Sequence, residues 1–267
     1  MKNNWQTVFI SGGGSGIGLY LAKLLLEQGS DIAIFDLRVN EKVKAELSRS
    51  HSKARFKCYE MDVCDADALN RAVCQAEAQL GAPGLAINCA GIQLANAFLD
   101  ISSEDFARVV NINLLGSRNF AAAVIPRMNE GGQLAFIASL AGLVSNYSYA
   151  AYNASKFGVV GLAGALRIEC KPRQIGVSVI CPPEILTPMV ERELKTMHPI
   201  TRELKAVAGT IELDSACREM IAGLKKHKFY IVPGFKAKCV WKLNQWFPAL
   251  LRRMTDNVVM KLATQVR

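Results

Sequence analysis

The chain has 267 residues, 51% of them hydrophobic, and carries a formal net charge of +9. This length suits one large globular domain with a substantial core. No run of about 18 uninterrupted apolar residues occurs, so nothing is predicted to span a membrane. The N-terminus runs from MKNNW directly into a first predicted strand, so we expect no signal peptide and a cytoplasmic protein. The basic charge does not predict nucleic-acid binding, because no nucleic-acid-binding module accompanies it.

The eight cysteines are scattered along the chain rather than arranged in a short framework. Cys58, Cys89 and Cys181 fall in or beside apolar strands, and no CxxC pair occurs. Only three histidines could assist a metal. We therefore predict buried free thiols in a reducing compartment, and no metal site.

The N-terminal segment has the pattern of a strand, a glycine loop, a helix and a second strand. An apolar β-type run at 7–10 precedes the loop, and apolar residues at helical spacing follow it. The glycines of the loop are Gly12, Gly16 and Gly18. A second apolar run at 32–35 ends at Asp36.

Each glycine of this loop has a physical task. Gly12 allows a sharp turn out of the strand, Gly16 lets the backbone approach a pyrophosphate, and Gly18 lets the helix lie close to the sheet. The N–H groups at the start of the helix then face the phosphate charge. Asp36 follows at the distance at which an acid binds the adenosine ribose hydroxyls. The segment therefore predicts dinucleotide binding.

Strands and helices continue to alternate after Asp36. Helices are predicted near 41–50, 66–80, 103–127 and 149–170, and strands at 55–61, 85–88, 133–138, 176–181 and 229–232. This alternation predicts an α/β protein with a single Rossmann-like, doubly wound parallel sheet of about seven strands and helices on both faces. A site is then expected at the carboxyl ends of the strands, where the strand order reverses.

Tyr152 and Lys156 lie four residues apart in YNASK, and Ser139 lies upstream at the end of a predicted strand. Four residues make about one helical turn, so the phenol and the amine project from the same face. A nearby ammonium favours the phenolate and lowers a phenol pKa that starts near ~10. A hydroxyl tuned in this way can exchange a proton with a substrate oxygen. An isolated YxxxK pair is usually a solvated helix face, so the interpretation depends on the rest of the chain.

Taken together, these residues resemble the short-chain dehydrogenase/reductase family over roughly residues 6–232. SGGGSGIG matches the TGxxxGxG loop of that family, and NCAG at 88–91 matches its NNAG. Asp62 and Val63 match its adenine-contacting pair. Asn113, in NINLLG, completes its catalytic set with the serine, tyrosine and lysine.

The resemblance implies an NAD(P)-dependent oxidoreductase that transfers a hydride between nicotinamide and a carbonyl or secondary alcohol. Tyr152 would be the general acid or base, Lys156 would tune it and hold the nicotinamide ribose, and Ser139 would bind the carbonyl oxygen. Asn113 would hold a water that relays protons past Lys156. The implied cofactor contacts are Gly12, Ser15, Gly16, Ile17, Gly18, Asp36, Asp62, Val63, Asn88, Ala90, Gly91, Tyr152, Lys156 and Thr187.

The choice between NAD and NADP depends on Asp36. Its carboxylate accepts two ribose hydroxyls but repels a 2′-phosphate, which favours NAD. Arg38, two positions on, could accept that phosphate if it turned inwards, so NADP stays open.

The segment after the sixth predicted strand departs from the family pattern. Pro183 replaces the usual glycine, and PPxxxTP resembles 3-ketodihydrosphingosine reductases, which reduce the ketone of a long-chain sphingoid base. Those enzymes use NADPH, whereas Asp36 favours NAD. Residues 184–211 are expected to form a mobile lid, with an apolar wall made by Met189, Leu194, Met197 and Ile200. A plain surface helix is the alternative.

Residues 233–267 continue beyond the last predicted strand and carry seven basic residues against one acidic residue. Apolar residues recur at helical spacing, and Pro248 divides the stretch into two helices. Such a basic amphipathic extension could lie on a bilayer, or it could pack on the lid or on a second subunit. Sequence leaves both alternatives open.

Small residues are frequent in the predicted helix 149–170, which commonly forms the subunit interface in this family. A homodimer or homotetramer is therefore expected.

Three functions stay open: an oxidoreductase for a lipid-like ketone or alcohol, the same chemistry on a small soluble substrate (a 3-oxoacyl thioester, a sugar or a cyclic alcohol), and a nucleotide-binding scaffold without turnover. The intact catalytic set disfavours the scaffold.

Overall fold

The computed structural model describes residues 5–50, 52–187, 190 and 197–263. These ranges contain nine strands: β1 Thr7–Ser11, β2 Asp31–Asp36, β3 Phe56–Glu60, β4 Leu85–Asn88, β5 Gln133–Ile137, β6 Gly176–Ile180, β7 Glu184–Ile185, β8 Thr210–Ile211 and β9 Tyr230–Ile231. The same ranges contain ten α-helices: α1 Gly16–Glu27, α2 Glu41–Ser48, α3 Ala66–Leu80, α4 Ser103–Val110, α5 Gly116–Val124, α6 Ala150–Glu169, α7 Pro199–Ala208, α8 Leu213–Lys225, α9 Phe235–Trp246 and α10 Pro248–Ala263.

Seven strands form one parallel sheet in the order β3-β2-β1-β4-β5-β6-β9. The strand order reverses at β1, where Ser11 pairs with Phe35 of β2 on one side and with Asn88 of β4 on the other. The carboxyl ends of these strands therefore meet at the type of switch point where such sheets bind ligands. The predicted doubly wound sheet of about seven strands is confirmed.

Helices cover both faces of this sheet, and each face buries its own apolar cluster. Phe9 belongs to one cluster, whereas Val8 and Ile10 belong to the other, because successive residues of a strand point to opposite faces. Phe9 contacts Phe35 edge to face at a centroid distance of 5.6 Å. Burying one such side chain stabilises the fold by about 1.5–3 kcal/mol.

The predicted helix 103–127 is divided in the structure. α4 ends at Val110, a single π-helical turn occupies Asn111–Leu115, and α5 follows it. The sequence NINLLG contains no proline and could not reveal this change of hydrogen bonding. Such turns are frequent at functional sites, and this one contains Asn113.

Two helices and a small sheet lie between the sixth and the last strand of the main sheet, where the sequence predicted only a lid or a plain surface helix over 184–211. These are α7, α8 and the parallel pair β7–β8. α8 buries Ala216, Met220 and Leu224 and packs on α1. The Tyr20 hydroxyl of α1 donates a hydrogen bond to the Asp214 carboxylate of α8 at 2.8 Å. These elements complete the cover of one sheet face.

The C-terminal helical extension consists of α9 and α10, which part at Phe247 before Pro248 as predicted. Both helices pack on α7, and Asn244 Nδ2 donates to the Leu143 carbonyl oxygen at 2.9 Å. Packing on neighbouring helices of the same chain is therefore observed. Within the described ranges, no helix combines the length and the apolar sequence needed to cross a bilayer.

All eight cysteines lie in the described part of the chain and are free thiols. Three of them are buried: Cys170, Cys181 and Cys217. Three others are exposed: Cys64, Cys74 and Cys239. The prediction of buried thiols is therefore wrong for the exposed three, which lie outside the strands of the main sheet.

Candidate active site

The glycine loop joins β1 to α1 at the carboxyl edge of the sheet. Gly12 (φ +66°) and Gly16 (φ +52°) adopt left-handed backbone conformations that glycine tolerates best. A Cβ on Gly18 would lie 2.2 Å from the Gly12 carbonyl oxygen, so α1 begins in direct contact with the loop. Ser15 is exposed at the N-cap of α1. The N-terminus of a helix favours negative charge, so a phosphate can bind at this helix start.

The Asp36 carboxylate at the end of β2 points towards this loop. Its Oδ2 accepts a hydrogen bond from the Gly14 N–H at 2.8 Å, and its Oδ1 accepts one from the Arg38 N–H at 3.3 Å. Asp36 is half-buried, whereas Arg38 is exposed. A carboxylate fixed in this place can accept hydrogen bonds from ribose hydroxyls and repels an added phosphate.

The predicted adenine-contacting pair lies in the turn after β3. Val63 is buried against α5, where a Cβ on Gly116 would come within 2.8 Å of the Val63 Cγ2. Asp62 is exposed, and its carboxylate accepts a hydrogen bond from the Cys64 N–H at 2.8 Å. The Val63 carbonyl oxygen accepts from Asn119 Nδ2 at 3.0 Å. These contacts fix the backbone of the turn.

A chain of buried hydrogen bonds links the ends of β1 and β4 to the π-helical turn. The Ser11 hydroxyl donates to Asn88 Oδ1 at 2.6 Å, and Asn88 Nδ2 donates to Ser117 Oγ at 2.7 Å. Ser117 donates in turn to the Asn113 carbonyl oxygen at 2.5 Å. The side chain of Asn88 is therefore used inside the protein, where it positions the strand end instead of facing the cleft.

Asn113 is fully buried and holds the loop that follows β4. Its Oδ1 accepts from the Ile92 N–H at 2.8 Å, and its Nδ2 donates to the Ile92 carbonyl oxygen and to Ser155 Oγ, both at 2.9 Å. A Cβ on Gly91 would lie 3.1 Å from Asn113 Oδ1 and 3.4 Å from Lys156 Nζ. The amide therefore lies beside the lysine.

Tyr152 and Lys156 lie on the same face of α6. Lys156 Nζ is 5.6 Å from the centroid of the Tyr152 ring and donates to the Ile137 carbonyl oxygen at 3.0 Å. Burial lowers the pKa of Lys156 to about 8, although the neighbouring thiols Cys89 and Cys181 act in the opposite direction. An amine with this pKa exchanges its proton close to neutral pH, which is typical of functional sites.

These side chains line a cleft of about 130 Å³. The predicted site residues in its walls are Ile17, Gly91, Ser139, Tyr152, Lys156 and Thr187. Ser139 lies just after β5, where its Oγ accepts from the Ala141 N–H at 3.1 Å. Thr187 lies over the glycine loop, 3.8 Å from the place of a Cβ on Gly16, and Ala90 N packs under Gly12. The cleft therefore lies between the glycine loop and the tyrosine–lysine pair.

A second cavity of about 350 Å³ adjoins this cleft. Six residues line both spaces: Ser139, Tyr149, Pro182, Pro183, Glu184 and Lys205. Beyond them the walls are mainly apolar, with Leu140, Val144, Leu204, Val207, Val240, Leu251, Met254 and Val258. Of these, Val240 belongs to α9, and Leu251, Met254 and Val258 belong to α10. The C-terminal extension thus forms one wall of a cavity that begins at Ser139.

The predicted apolar wall of the lid needs correction. Met189 and Leu194 lie outside the described residues. Met197 and Ile200 are buried, at 7% and 3% exposure, and do not line the cavity. The helix period explains the difference, because α7 turns Ile200 towards the protein interior and presents other apolar positions to the cavity.

The switch-point crevice, its phosphate-binding loop and its tyrosine–lysine pair define a nucleotide-dependent oxidoreductase. The family model for short chain dehydrogenases matches residues 6–198, and the chain belongs to this family. The protein is therefore an NAD(P)-dependent oxidoreductase that transfers a hydride between nicotinamide and a carbonyl or CH–OH group.

Relatives agree with this assignment, and a solved structure shares the fold. The chain is 32% identical to the 3-ketodihydrosphingosine reductase of Bos taurus over 221 residues, which are 80% of this chain and 67% of the relative. It is 27% identical to the D-beta-hydroxybutyrate dehydrogenase of Cupriavidus necator, covering 86% of this chain and 87% of that protein. A short chain dehydrogenase/reductase from Burkholderia phymatum, solved in complex with NAD, shares the fold with a TM-score of 0.80 at 22% identity, covering 92% and 94% of the two chains.

Proposed function

We propose that the protein reduces the ketone of a long-chain, lipid-like substrate. The observation that carries this proposal is the apolar cavity that adjoins the cleft at Ser139. An alkyl chain entering it gains about 0.8 kcal/mol for each buried CH₂ group. The bovine relative is named for 3-ketodihydrosphingosine, which is the ketone of a long-chain amino alcohol.

In this proposal each residue of the predicted set has a defined task. The Tyr152 hydroxyl gives its proton to the carbonyl oxygen, and the Lys156 ammonium stabilises the phenolate that remains. Ser139 donates a hydrogen bond to the same oxygen and fixes its orientation. Asn113 holds the loop at Ile92 and lies next to Lys156, which suits the water-holding role implied by the family. A nicotinamide, when bound, supplies the hydride.

The proposal is tested with saturated ketones of graded chain length and NADH. The kcat/KM is expected to rise by up to about fourfold for each added methylene until the cavity is filled. The measurement is NADH absorbance under initial-rate conditions. A flat dependence on chain length would instead support the alternative, a small soluble substrate, for which the hydroxybutyrate dehydrogenase relative provides the precedent.

We propose NAD rather than NADP as the cofactor, because the Asp36 carboxylate lies beside the glycine loop, where it accepts a hydrogen bond from the Gly14 N–H. Replacing Asp36 with alanine is expected to weaken NADH binding by about tenfold, since it removes charge-assisted hydrogen bonds to the ribose. The same change should improve the relative affinity for NADPH. The dissociation constants of NADH and NADPH, measured by nucleotide fluorescence titration for the unaltered protein and the variant, give the ratio of the two affinities. Tighter NADPH than NADH binding by the unaltered protein would contradict the proposal.

We also propose that the C-terminal extension touches an anionic membrane surface. Trp246, Phe247 and Leu250 are 70%, 59% and 50% exposed where α9 meets α10, and Arg252 and Arg253 follow. Exposed aromatic residues beside basic ones suit the interface of an anionic bilayer. Such a surface would place the cavity wall at the source of a lipid-like substrate.

Co-sedimentation with vesicles tests this contact. Changing Trp246 and Phe247 together to serine is expected to weaken binding to phosphatidylserine-containing vesicles by at least about tenfold, because the buried apolar area is lost. Leu99→Ser provides a control at a residue that is 93% exposed outside the extension. Equal binding by both variants would contradict the membrane contact.

We further propose a homodimer or homotetramer that uses α6. Phe157 and Ile168 are exposed on this helix, and a Cβ on Gly161 would meet nothing within 4 Å. This open, partly apolar face allows close approach of a second copy. Light scattering on the protein gives its mass, and a monomer would contradict the proposal.

A further inference from the structure

The turn directly before α6 is held by α7 and its N-cap. His198, the N-cap residue, packs its ring against the Tyr147 ring at a centroid distance of 4.8 Å. Thr201 donates to the Tyr147 carbonyl oxygen at 3.1 Å and shares a hydrogen bond of 2.8 Å with the Ser148 hydroxyl. Ser148 has a φ of +58°, a left-handed conformation that a residue with a side chain keeps only where its surroundings hold it. The helix α7 therefore fixes the segment that leads into α6.

Tyr149 follows in this turn and connects α7 with Tyr152. Its hydroxyl accepts hydrogen bonds from Lys205 Nζ at 3.1 Å and from Gln93 Nε2 at 2.5 Å. Its ring meets the Tyr152 ring edge to face at a centroid distance of 5.5 Å, and only 3% of Tyr149 is exposed. A ring fixed at its hydroxyl end restricts the ring that packs against it. The position of α7 can thus be transmitted to the Tyr152 phenol.

Lys205 holds Tyr149 as one half of a neutral ion pair. Its Nζ lies 2.5 Å from Glu184 Oε2, and the two side chains are 14% and 12% exposed. Such a pair adds little stability by itself, because the loss of hydration offsets the attraction. Its opposite charges also cancel most of its field at Tyr152. Lys205 therefore acts on the phenol through the geometry of Tyr149 rather than through its charge.

We propose that Tyr149 and Lys205 are positioning residues, which hold the Tyr152 phenol beside Lys156 and in line with the substrate oxygen. Proton transfer depends on such alignment, and a displacement of about 1 Å can slow a reaction by about 100-fold. This inference rests on the proposed role of Tyr152 as the general acid. It adds the residues outside the predicted set that keep this acid in place.

The test uses variants that remove the ring, its hydrogen bonds or the amine. Tyr149→Leu removes the ring, whereas Tyr149→Phe keeps the ring and loses the hydrogen bonds. Lys205→Met removes the amine, and the double variant Lys205→Met/Glu184→Gln also removes the buried carboxylate charge that the single change leaves without its counter-charge. Arg202→Met is the matched control, because Arg202 is exposed on the same helix. The kcat, KM and pH dependence are measured with NADH and the graded ketone that the unaltered protein reduces fastest, together with NADH affinity and Tm.

We expect Tyr149→Leu to lower kcat by about 10- to 100-fold, while KM and the NADH affinity change by less than about threefold. Tyr149→Phe, Lys205→Met and the double variant should each lose about three- to tenfold in kcat, because the ring contact remains and only hydrogen bonds are lost. Arg202→Met should retain nearly full activity.

The pH dependence identifies the cause of the loss. Tyr152 gives up its proton in reduction, so kcat falls as the pH rises through the pKa of Tyr152. In Tyr149→Leu the phenol is expected to move away from the Lys156 ammonium, which raises the pKa of Tyr152. The fall in kcat should then move to higher pH by up to about one unit. Neither a lost substrate contact nor a general loss of folded protein produces this shift.

Three results would overturn the proposal. The first is a loss confined to KM, which would assign Tyr149 to substrate contact, since it lines both the cleft and the cavity. The second is unchanged kinetics, and the third is a loss of kcat with an unshifted pH profile or an equal loss in Arg202→Met. In each case inactivity of Tyr152→Phe would leave the proposed function intact. Activity retained by Tyr152→Phe would overturn both proposals.

Discussion

Replacing Tyr152 with phenylalanine is expected to lower kcat for ketone reduction by about 10²- to 10⁴-fold, the usual contribution of a positioned general acid. The change removes only the hydroxyl. The ring keeps its edge-to-face contact with Tyr149 at 5.5 Å and stays near Lys156. NADH affinity should therefore change by less than about threefold, which nucleotide fluorescence can measure beside the steady-state rate.

A matched control for this variant is Tyr59→Phe on β3. The Tyr59 hydroxyl also makes a hydrogen bond, to Gln79 Oε1 at 3.0 Å, but it lies outside the cleft. This control should retain nearly full activity. If Tyr152→Phe kept more than about a tenth of the activity, proton transfer through Tyr152 would be contradicted.

The second large effect is expected from filling the apolar cavity. Replacing Val258 of α10 with tryptophan puts a large ring into the wall of the cavity that Ser139 also lines. A long alkyl chain can then no longer enter without displacing the ring, so its kcat/KM should fall by at least about tenfold, because overpacking and lost burial add. A short ketone that does not extend into the apolar cavity should be reduced at nearly the same rate.

Met260→Trp is the matched control, because Met260 lies on the same helix, is 66% exposed and does not line the cavity. The kcat/KM on ketones of graded chain length, measured for both variants, distinguishes a filled cavity from a damaged helix. Equal losses for short and long ketones with Val258→Trp, or unchanged rates with both, would show that the chain of the substrate does not use this space.

The sequence could predict the parts of the site that depend on local chemistry. Glycines at three fixed places, an acid after the second strand and a tyrosine one turn from a lysine each have a short-range physical reason. Their convergence at the strand ends follows from the parallel sheet alone. The fold class could be predicted for the same reason, since alternating strands and helices leave few other topologies.

The remaining features depend on contacts between residues far apart in the chain. Val258 and Ser139 line one cavity, but no pattern in either segment reveals it. Glu184 and Lys205 lie in separate elements, β7 and α7, and the sequence around each is typical of an ordinary surface charge. The only local signal was the proline-rich departure at Pro183, directly before Glu184.

The contacts of Asn88 and Asn113 also could not be predicted from the sequence, although both residues belong to motifs. The resemblance predicts that both serve the site, but not how. The structure shows that Asn88 is bound between Ser11 and Ser117, and that Asn113 holds the backbone of Ile92. Ser117 had no distinguishing signal, because a serine one turn beyond an asparagine is a common arrangement in helices.

The most direct test of the whole account follows the hydride itself. NADH carrying deuterium at both C4 positions is incubated with a long-chain ketone, and the alcohol product is analysed by mass spectrometry. We expect one deuterium on the new carbinol carbon with the unaltered protein, and labelled alcohol formed about 10²- to 10⁴-fold more slowly with Tyr152→Phe. Bound NADH that never transfers its deuterium to any ketone or aldehyde offered would contradict it.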